Sequence, residues 1–388
     1  MGTSLGETAP SALDARLAAT LAQLRAQHLY RRRRVVEGAH GIHLRVDGRE
    51  CLNFCSNDYL GLAADPRVAA AASRALQYGT GSGAAALVSG YNLRHRELED
   101  ALAAHTGHAR ALLFSSGWAA NLGVIAALLG KHDTLIADEL NHASLIDGGR
   151  LSRAHYVRVP HADAAAFRAA LAAAPAGTQT LLATDTVFSM DGDTAPLAEL
   201  SAACRAHGAA LMLDDAHGFG LRAPDAAPLP AHDVYVATLG KSLGCAGAFV
   251  AGSETLIEYL IQRARTWVFS TAPPPALAAA ALAALRIVQA EPGLRAALQD
   301  NIRRFRAGAQ ALGLAPGDSQ TAIQPLILGD EARALAVSQR LYERGYWVAA
   351  IRPPTVPRGT ARLRITLSAA HTPEQIDGLL EALAEALA

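Results

Sequence analysis

A chain of 388 residues with 35 cationic and 35 anionic side chains carries no net charge, which excludes the basic footprint that nucleic-acid binding requires. At roughly 150 residues per domain the length allows two or three domains with full cores, so no disulfide staple is needed. Cys51, Cys55, Cys204 and Cys245 form no C-x-x-C pair and no zinc spacing, and are expected as free thiols in a reducing, cytoplasmic setting, with no metal site. No apolar stretch reaches membrane length, the amino terminus lacks a basic-then-apolar signal, and Gly6 stands where a myristoylation signal wants Ser or Thr.

Leu13, Leu17, Leu21 and Leu24 recur every three or four residues and predict an amphipathic helix over 11–30 on the surface of something larger. The run Arg31–Arg34 reads as a solvated helix end. Residues 42–54 alternate and turn at Asp47-Gly48 like a hairpin; His40 and His43 have no carboxylate or cysteine partner there and read as turn and strand residues. Ser56–Leu62 leads into a helix from Pro66 to about Tyr78, then to Gly79-Thr80-Gly81-Ser82-Gly83, where backbone can approach a ligand closely. A helix over 95–106 and a strand at Ala111–Phe114 precede Ser115-Ser116-Gly117-Trp118, which opens another helix. Strand, small-residue turn and helix start together favour a phosphate through free N–H groups and the helix dipole. Trp118, taken alone, reads as core.

From Thr134 onward short apolar runs at Thr134–Ala137, Tyr156–Val159, Thr180–Thr184, Ala210–Leu213 and Val234–Leu239 alternate with helical patterns. That predicts an α/β fold with a parallel sheet, crossover helices, and ligands beyond the strand carboxyl ends. Those ends carry His142, Asp185, Asp214 and Lys241. After Pro273-Pro274-Pro275 an alanine-rich helix leads to strands at Ala322–Leu328, Trp347–Ile351 and Ala361–Thr366, with helices at Glu331–Arg344 and Pro373–Ala388. The expected division is an amino-terminal helix and hairpin over 1–50, a large domain over 51–285, and a small carboxyl-terminal α+β domain over 286–388.

Two residues carry the chemistry. Lysine occurs only at Lys131 and Lys241, so 33 of the 35 cations are arginine. A guanidinium does not deprotonate to a nucleophile and an amine does. Lys241, among glycines after a β-branched run, reads as a partly desolvated amine suited to a Schiff base, whereas Lys131 reads as an ordinary surface lysine. Asp214 follows the apolar run Leu211-Met212-Leu213 and needs a cationic partner if buried; by itself it could equally be a helix cap or a metal ligand. A lysine for an aldehyde, a carboxylate for a pyridinium nitrogen and a phosphate cradle at Gly117 are what pyridoxal 5′-phosphate (PLP) asks of a protein.

With these features in place, the sequence from about residue 15 to 388 resembles the α-oxoamine synthases, PLP-dependent enzymes of fold type I. The resemblance lies in Ser56–Leu62, Val88-Ser89-Gly90-Tyr91, His142-Ala143-Ser144-Leu145, Phe188-Ser189-Met190-Asp191-Gly192-Asp193, Asp214–Gly218 and Thr238–Lys241. Ala322–Ile327 and Ile351–Pro357 point to the branch that condenses L-alanine with pimeloyl-CoA or pimeloyl-ACP. A glycine-using synthase is the alternative, and a non-catalytic PLP-binding regulatory module a remote one. The resemblance implies a large domain with a mostly parallel seven-stranded sheet. It also implies that Lys241 bonds the cofactor, Asp214 faces its ring nitrogen, His217 and Ser189 its ring hydroxyl, and His142 stacks on the ring. Gly117, Trp118 and Thr238 would hold the phosphate, helped by Ser270 and Thr271 from the other subunit of a homodimer with sites at the interface. Arg352 would bind the amino-acid carboxylate, and Arg31, Asn57 and Thr355 would add substrate contacts. Gly83–Ala86 and Phe219 depart from the family pattern near the expected acyl channel.

Overall fold

The alternating apolar runs build one seven-stranded sheet in a computed structural model that describes residues 11–222 and 227–388. The reading of the chain start, Met1 to Gly6, and the first ten residues of the expected 1–50 unit lie outside the described residues. Across the sheet the strands are Arg110–Phe114, Ala248–Gly252, Val234–Thr238, Ala210–Asp214, Thr180–Asp185, Thr134–Asp138 and His155–Val159. All neighbours are parallel except Ala248–Gly252, which runs antiparallel to both of its partners. That strand is absent from the sequence expectation.

Alternation within each strand sends side chains to two covered faces, so the strands are apolar throughout. Leu112, Phe114, Val236 and Val250 pack with Val124, Ile125, Leu145 and Leu260 on one side. Ala111, Leu113, Tyr235, Ala237 and Phe249 meet helices Leu93–Thr106 and Pro275–Ala290 on the other. Among the described residues no single helix is long and apolar enough to cross a membrane, and all four cysteines are free.

The small carboxyl-terminal unit has a three-stranded sheet of Ile323–Gly329, Ala361–Thr366 and Ala349–Ile351. The single strand expected at Trp347–Ile351 is divided at the buried Val348 between two sheets. Tyr346–Trp347 pairs in parallel with Arg49–Asn53, so the amino-terminal hairpin joins a carboxyl-terminal edge. The expected boundary after residue 50 falls inside that strand. Helix Ala12–Ala26 forms, but Leu13, Leu17 and Leu21 are exposed and the helix buries none of its residues within the chain. It ends before Arg31–Arg34, which is no helix end: Arg34 pairs with Asp47 at 3.3 Å and lies 3.9 Å from the Tyr342 ring centre.

The loop Phe188–Asp193 joins the two units. Gly192 has φ +71°, and a Cβ there would meet Ile323 O and Ser319 Oγ at 2.4 Å, so only glycine allows this approach. Ser319 Oγ donates to Gly192 O at 2.9 Å, and Arg362 pairs with Asp191. His161 ties the loop to the sheet, contacting Asp138 Oδ1 at 3.0 Å and Asp193 Oδ2 at 2.6 Å. Hydrogen bonds to these two carboxylates raise its pKa from 6.5 to about 10. The folded chain thus keeps a proton that the unfolded chain releases near 6.5. The stabilisation is complete below that pH and is lost as pH rises through about 10. His161→Gln should therefore lower Tm most below pH 6.5 and least above pH 10, as measured by calorimetry of both proteins across that range; a Tm difference independent of pH would contradict the charged clamp.

Candidate active site

Four side chains of three chemical kinds meet at the carboxyl end of the sheet. Asp214 ends its strand, Asp185 ends the neighbouring one in register with it, His142 caps helix Ala143–Ser152, and Lys241 lies in the loop that joins Val234–Thr238 to Ala248–Gly252. The antiparallel strand turns this lysine loop into the tip of a hairpin. Gly244, at φ +62°, presses it onto the chain at Ala63, where a Cβ would lie 2.2 Å from the backbone nitrogen.

Asp185 and Asp214 are both 4% exposed, and a buried carboxylate must be given partners. Asp214 accepts from Asn121 Nδ2 at 2.6 Å and from the Ala216 N–H at 3.0 Å. Asp185 accepts the His142 N–H at 2.7 Å. Burial, with the Asp214 carboxylate beside it, pushes the Asp185 carboxyl well above its usual range. Burial also lowers the Lys241 ammonium from its ordinary 10.5, with Asp214 and Asp185 pulling the other way, which favours a free amine for attack on a carbonyl. The imidazoles of His142 and His217 are pushed down by burial as well, His217 further so by the Lys241 and Arg364 charges.

Helix Gly117–Leu128 opens at the same place, with Ser116 Oγ accepting the Ala119 N–H at 3.1 Å. A Cβ on Gly117 would come within 2.8 Å of Thr238 Cγ2, so glycine brings the helix start onto the strand end. Thr238 Oγ1 is buried and has no partner among the described residues. Asn121, one helical turn beyond Gly117, is the residue that holds Asp214, so one helix orients both a phosphate cradle and a carboxylate. Trp118 is not core: it is 43% exposed and its ring meets His142 edge-on at 6.0 Å.

On the other side of the site His217 Nδ1 lies 2.6 Å from Tyr59 Oη. Arg364 donates to Ser189 O at 2.6 Å and to Asn57 Oδ1 at 3.1 Å, and is 6% exposed. Its guanidinium has no carboxylate partner among the described residues. Asn57, Ser189, His217, Tyr59 and Arg364 therefore form one wall. Tyr59, Asn121, Asp185 as a partner of His142, and Arg364 were not read as functional from sequence.

The remaining expected residues make contacts of their own. Arg352 donates to the backbone carbonyls of His28 and Tyr30, and Arg31 Nη2 to Thr355 Oγ1 at 3.1 Å, so these three form a cluster along the extended segment after the first helix. Ser270 Oγ donates to Thr266 O at 2.7 Å, and Thr271 bridges Ala85. Phe219, expected near the acyl channel, is buried against Phe249 and His105.

The site fits PLP: the unpartnered Thr238 Oγ1, the close approach at Gly117 and the held carboxylate of Asp214 suit its phosphate and its ring nitrogen, and Lys241 its aldehyde. The sequence profile "Aminotransferase class I and II" matches residues 49–383, and the chain belongs to that family of PLP-dependent enzymes. Within it, the chain is 55% identical over 385 residues to the 8-amino-7-oxononanoate synthase of Methylococcus capsulatus, covering 95% of this chain and 98% of that one. Among solved structures it superposes on a serine palmitoyltransferase from S. paucimobilis with bound PLP–myriocin at TM-score 0.91 and 30% identity, covering 97% and 98% of the two chains. It superposes on 8-amino-7-oxononanoate synthase from Francisella tularensis at 0.73 and 30%, covering 86% and 97%.

Because Asn121 supplies a charge-assisted hydrogen bond to a buried oxygen, Asn121→Ala should weaken PLP binding by about tenfold or more. Equilibrium dialysis of PLP against both proteins measures this, and equal affinities would show that Asp214 is held without Asn121.

Proposed function

We propose that the chain condenses L-alanine with pimeloyl-CoA or pimeloyl-ACP, releasing carbon dioxide and the thiol carrier and forming 8-amino-7-oxononanoate for biotin synthesis. The observation that carries this reading is the half-buried Lys241 close enough to Asp214 to feel its charge, in a chain more than half identical to a synthase of that name. When bound, PLP supplies a carbonyl for the lysine and the amino acid and a ring that withdraws electrons from the α-carbon.

The chain's own residues do the rest. Lys241 Nζ would remove the α-proton of the bound amino acid and later return one. Asp214, fixed by Asn121 and Ala216, would face the ring nitrogen and favour its protonated form. His142, capping its helix, would lie against the ring, His217 and Ser189 would face the ring hydroxyl, and Tyr59 Oη positions His217 through Nδ1. Arg364 is our choice for the substrate carboxylate in place of Arg352, because its buried guanidinium stands beside Asn57 and Ser189 and suits a bidentate partner. Arg31, Thr355 and Arg352 then lie on the approach to the site.

A homodimer accompanies this reading. Val88, Phe269 and Leu87 are 80%, 72% and 54% exposed, and the Ala85–Thr271 bridge brings their segments together, which is an apolar surface of the kind a partner covers. Ser270 and Thr271 lie in that surface, where they can serve the partner's phosphate. Free thiols suit a cytoplasmic location.

Purified holoenzyme given L-alanine and pimeloyl-CoA should release carbon dioxide and coenzyme A in equal amounts with 8-amino-7-oxononanoate, identified by mass spectrometry. Glycine as the productive substrate would move the chain to a sister activity. Lys241→Ala should abolish turnover, and near-parental turnover would sink the assignment. Arg364→Ala should raise the KM for L-alanine by about a hundredfold, whereas that rise in Arg352→Ala instead would return the carboxylate contact to Arg352.

A further inference from the structure

A second cavity, of about 430 Å³, lies where His108 and His232 lead into the strands Arg110–Phe114 and Val234–Thr238, and extends beneath Asp215–Gly220. Its size is within the range of small-molecule pockets, ~300–1,000 Å³. Most of its polar wall is internally satisfied. Asp215 accepts from Thr186 Oγ1 and from Tyr235 Oη at 2.7 Å. His232 Nδ1 donates to Pro230 O at 2.7 Å, His232 Nε2 lies 3.1 Å from His108 Nε2, and His108 Nδ1 lies 2.9 Å from Thr106 Oγ1, whose own hydrogen goes to Leu102 O.

Arg295 is the exception. It is 8% exposed, and Nη1 donates to Val288 O at 2.8 Å. Nε is buried without a partner, and neither Nε nor Nη2 donates to any described residue. Burial lowers its pKa, and among the described residues it pairs with no carboxylate. A buried cation short of partners is costly, and the free Nη2 is a donor suited to a carboxylate or phosphate oxygen. Beside it, His105 Nδ1 accepts from Gln289 Nε2 at 3.2 Å, which leaves its Nε2–H to donate. The exposed Arg222 stands at the rim.

We propose that this cavity binds a small organic anion, its carboxylate or phosphate held by Arg295 Nη2 with Arg222 at the entrance. None of these cavity residues belongs to the active site. The anion would lie under the segment that carries Asp214 and His217 on its other side, so occupancy and cofactor geometry share one stretch of backbone.

Calorimetric titration of PLP-saturated protein with inorganic phosphate, and separately with succinate, tests this. At least one should bind at a single site, and which one does distinguishes a phosphate from a carboxylate ligand. Arg295→Gln should weaken that binding by about tenfold or more while PLP content stays at one per chain. Arg222→Gln, at an exposed position that leaves the core intact, should also weaken it and carries the test should Arg295→Gln fail to fold. Absence of binding by both probes, or unchanged affinity in the variants that fold, would overturn the proposal.

Discussion

The bond between Asn121 and the buried Asp214 carboxylate is the constraint on which the rest of the site depends. An ionised carboxylate taken out of water is strongly destabilising unless hydrogen bonds and a counter-charge meet it. Asn121 and the Ala216 N–H supply two of those bonds. Asn121 belongs to the helix that begins at Gly117, so the position of the Asp214 carboxylate relative to the helix start is set by one rigid turn of helix.

Three glycines let separate segments converge on that pair. Gly117 admits the helix start to Thr238, Gly244 admits the lysine loop to Ala63, and Gly192 admits the loop Phe188–Asp193 to the small unit. Each is a place where a methyl group would meet another atom closer than 3.0 Å. Through Gly192, Asp191 and Ser189 the carboxyl-terminal strand Ala361–Thr366 contributes Arg364 to the wall beside Asn57 and Ser189, and the boundary expected after residue 285 falls inside helix Pro275–Ala290.

The sheet was legible because parallel strands buried on both faces read as short apolar runs, and Lys241 stood out because a chain with two lysines draws attention to the one among glycines at a strand end. Arg364 was hidden by the same pattern logic. In Ala361-Arg362-Leu363-Arg364 the arginines alternate like the solvent face of a strand, yet both are buried, at 3% and 6%, since that face meets the loop carrying Ser189 and Asp191. Ala248–Gly252 was missed because alternating strands and helices imply parallel pairing, while this strand returns directly from the lysine loop. Helix Ala12–Ala26 was legible as a helix, but none of its leucines is buried among the described residues, and periodicity alone does not say what covers an apolar stripe.

The most direct test of Lys241 as the covalent anchor is the visible absorption spectrum of the purified protein reconstituted with PLP and titrated with L-alanine, then with pimeloyl-CoA. A bound-cofactor band that shifts on adding L-alanine, and changes again transiently on adding the thioester, is the expected result. Absence of a bound-cofactor band distinct from free PLP would contradict the place given to Lys241 and Asp214 at the centre of this site.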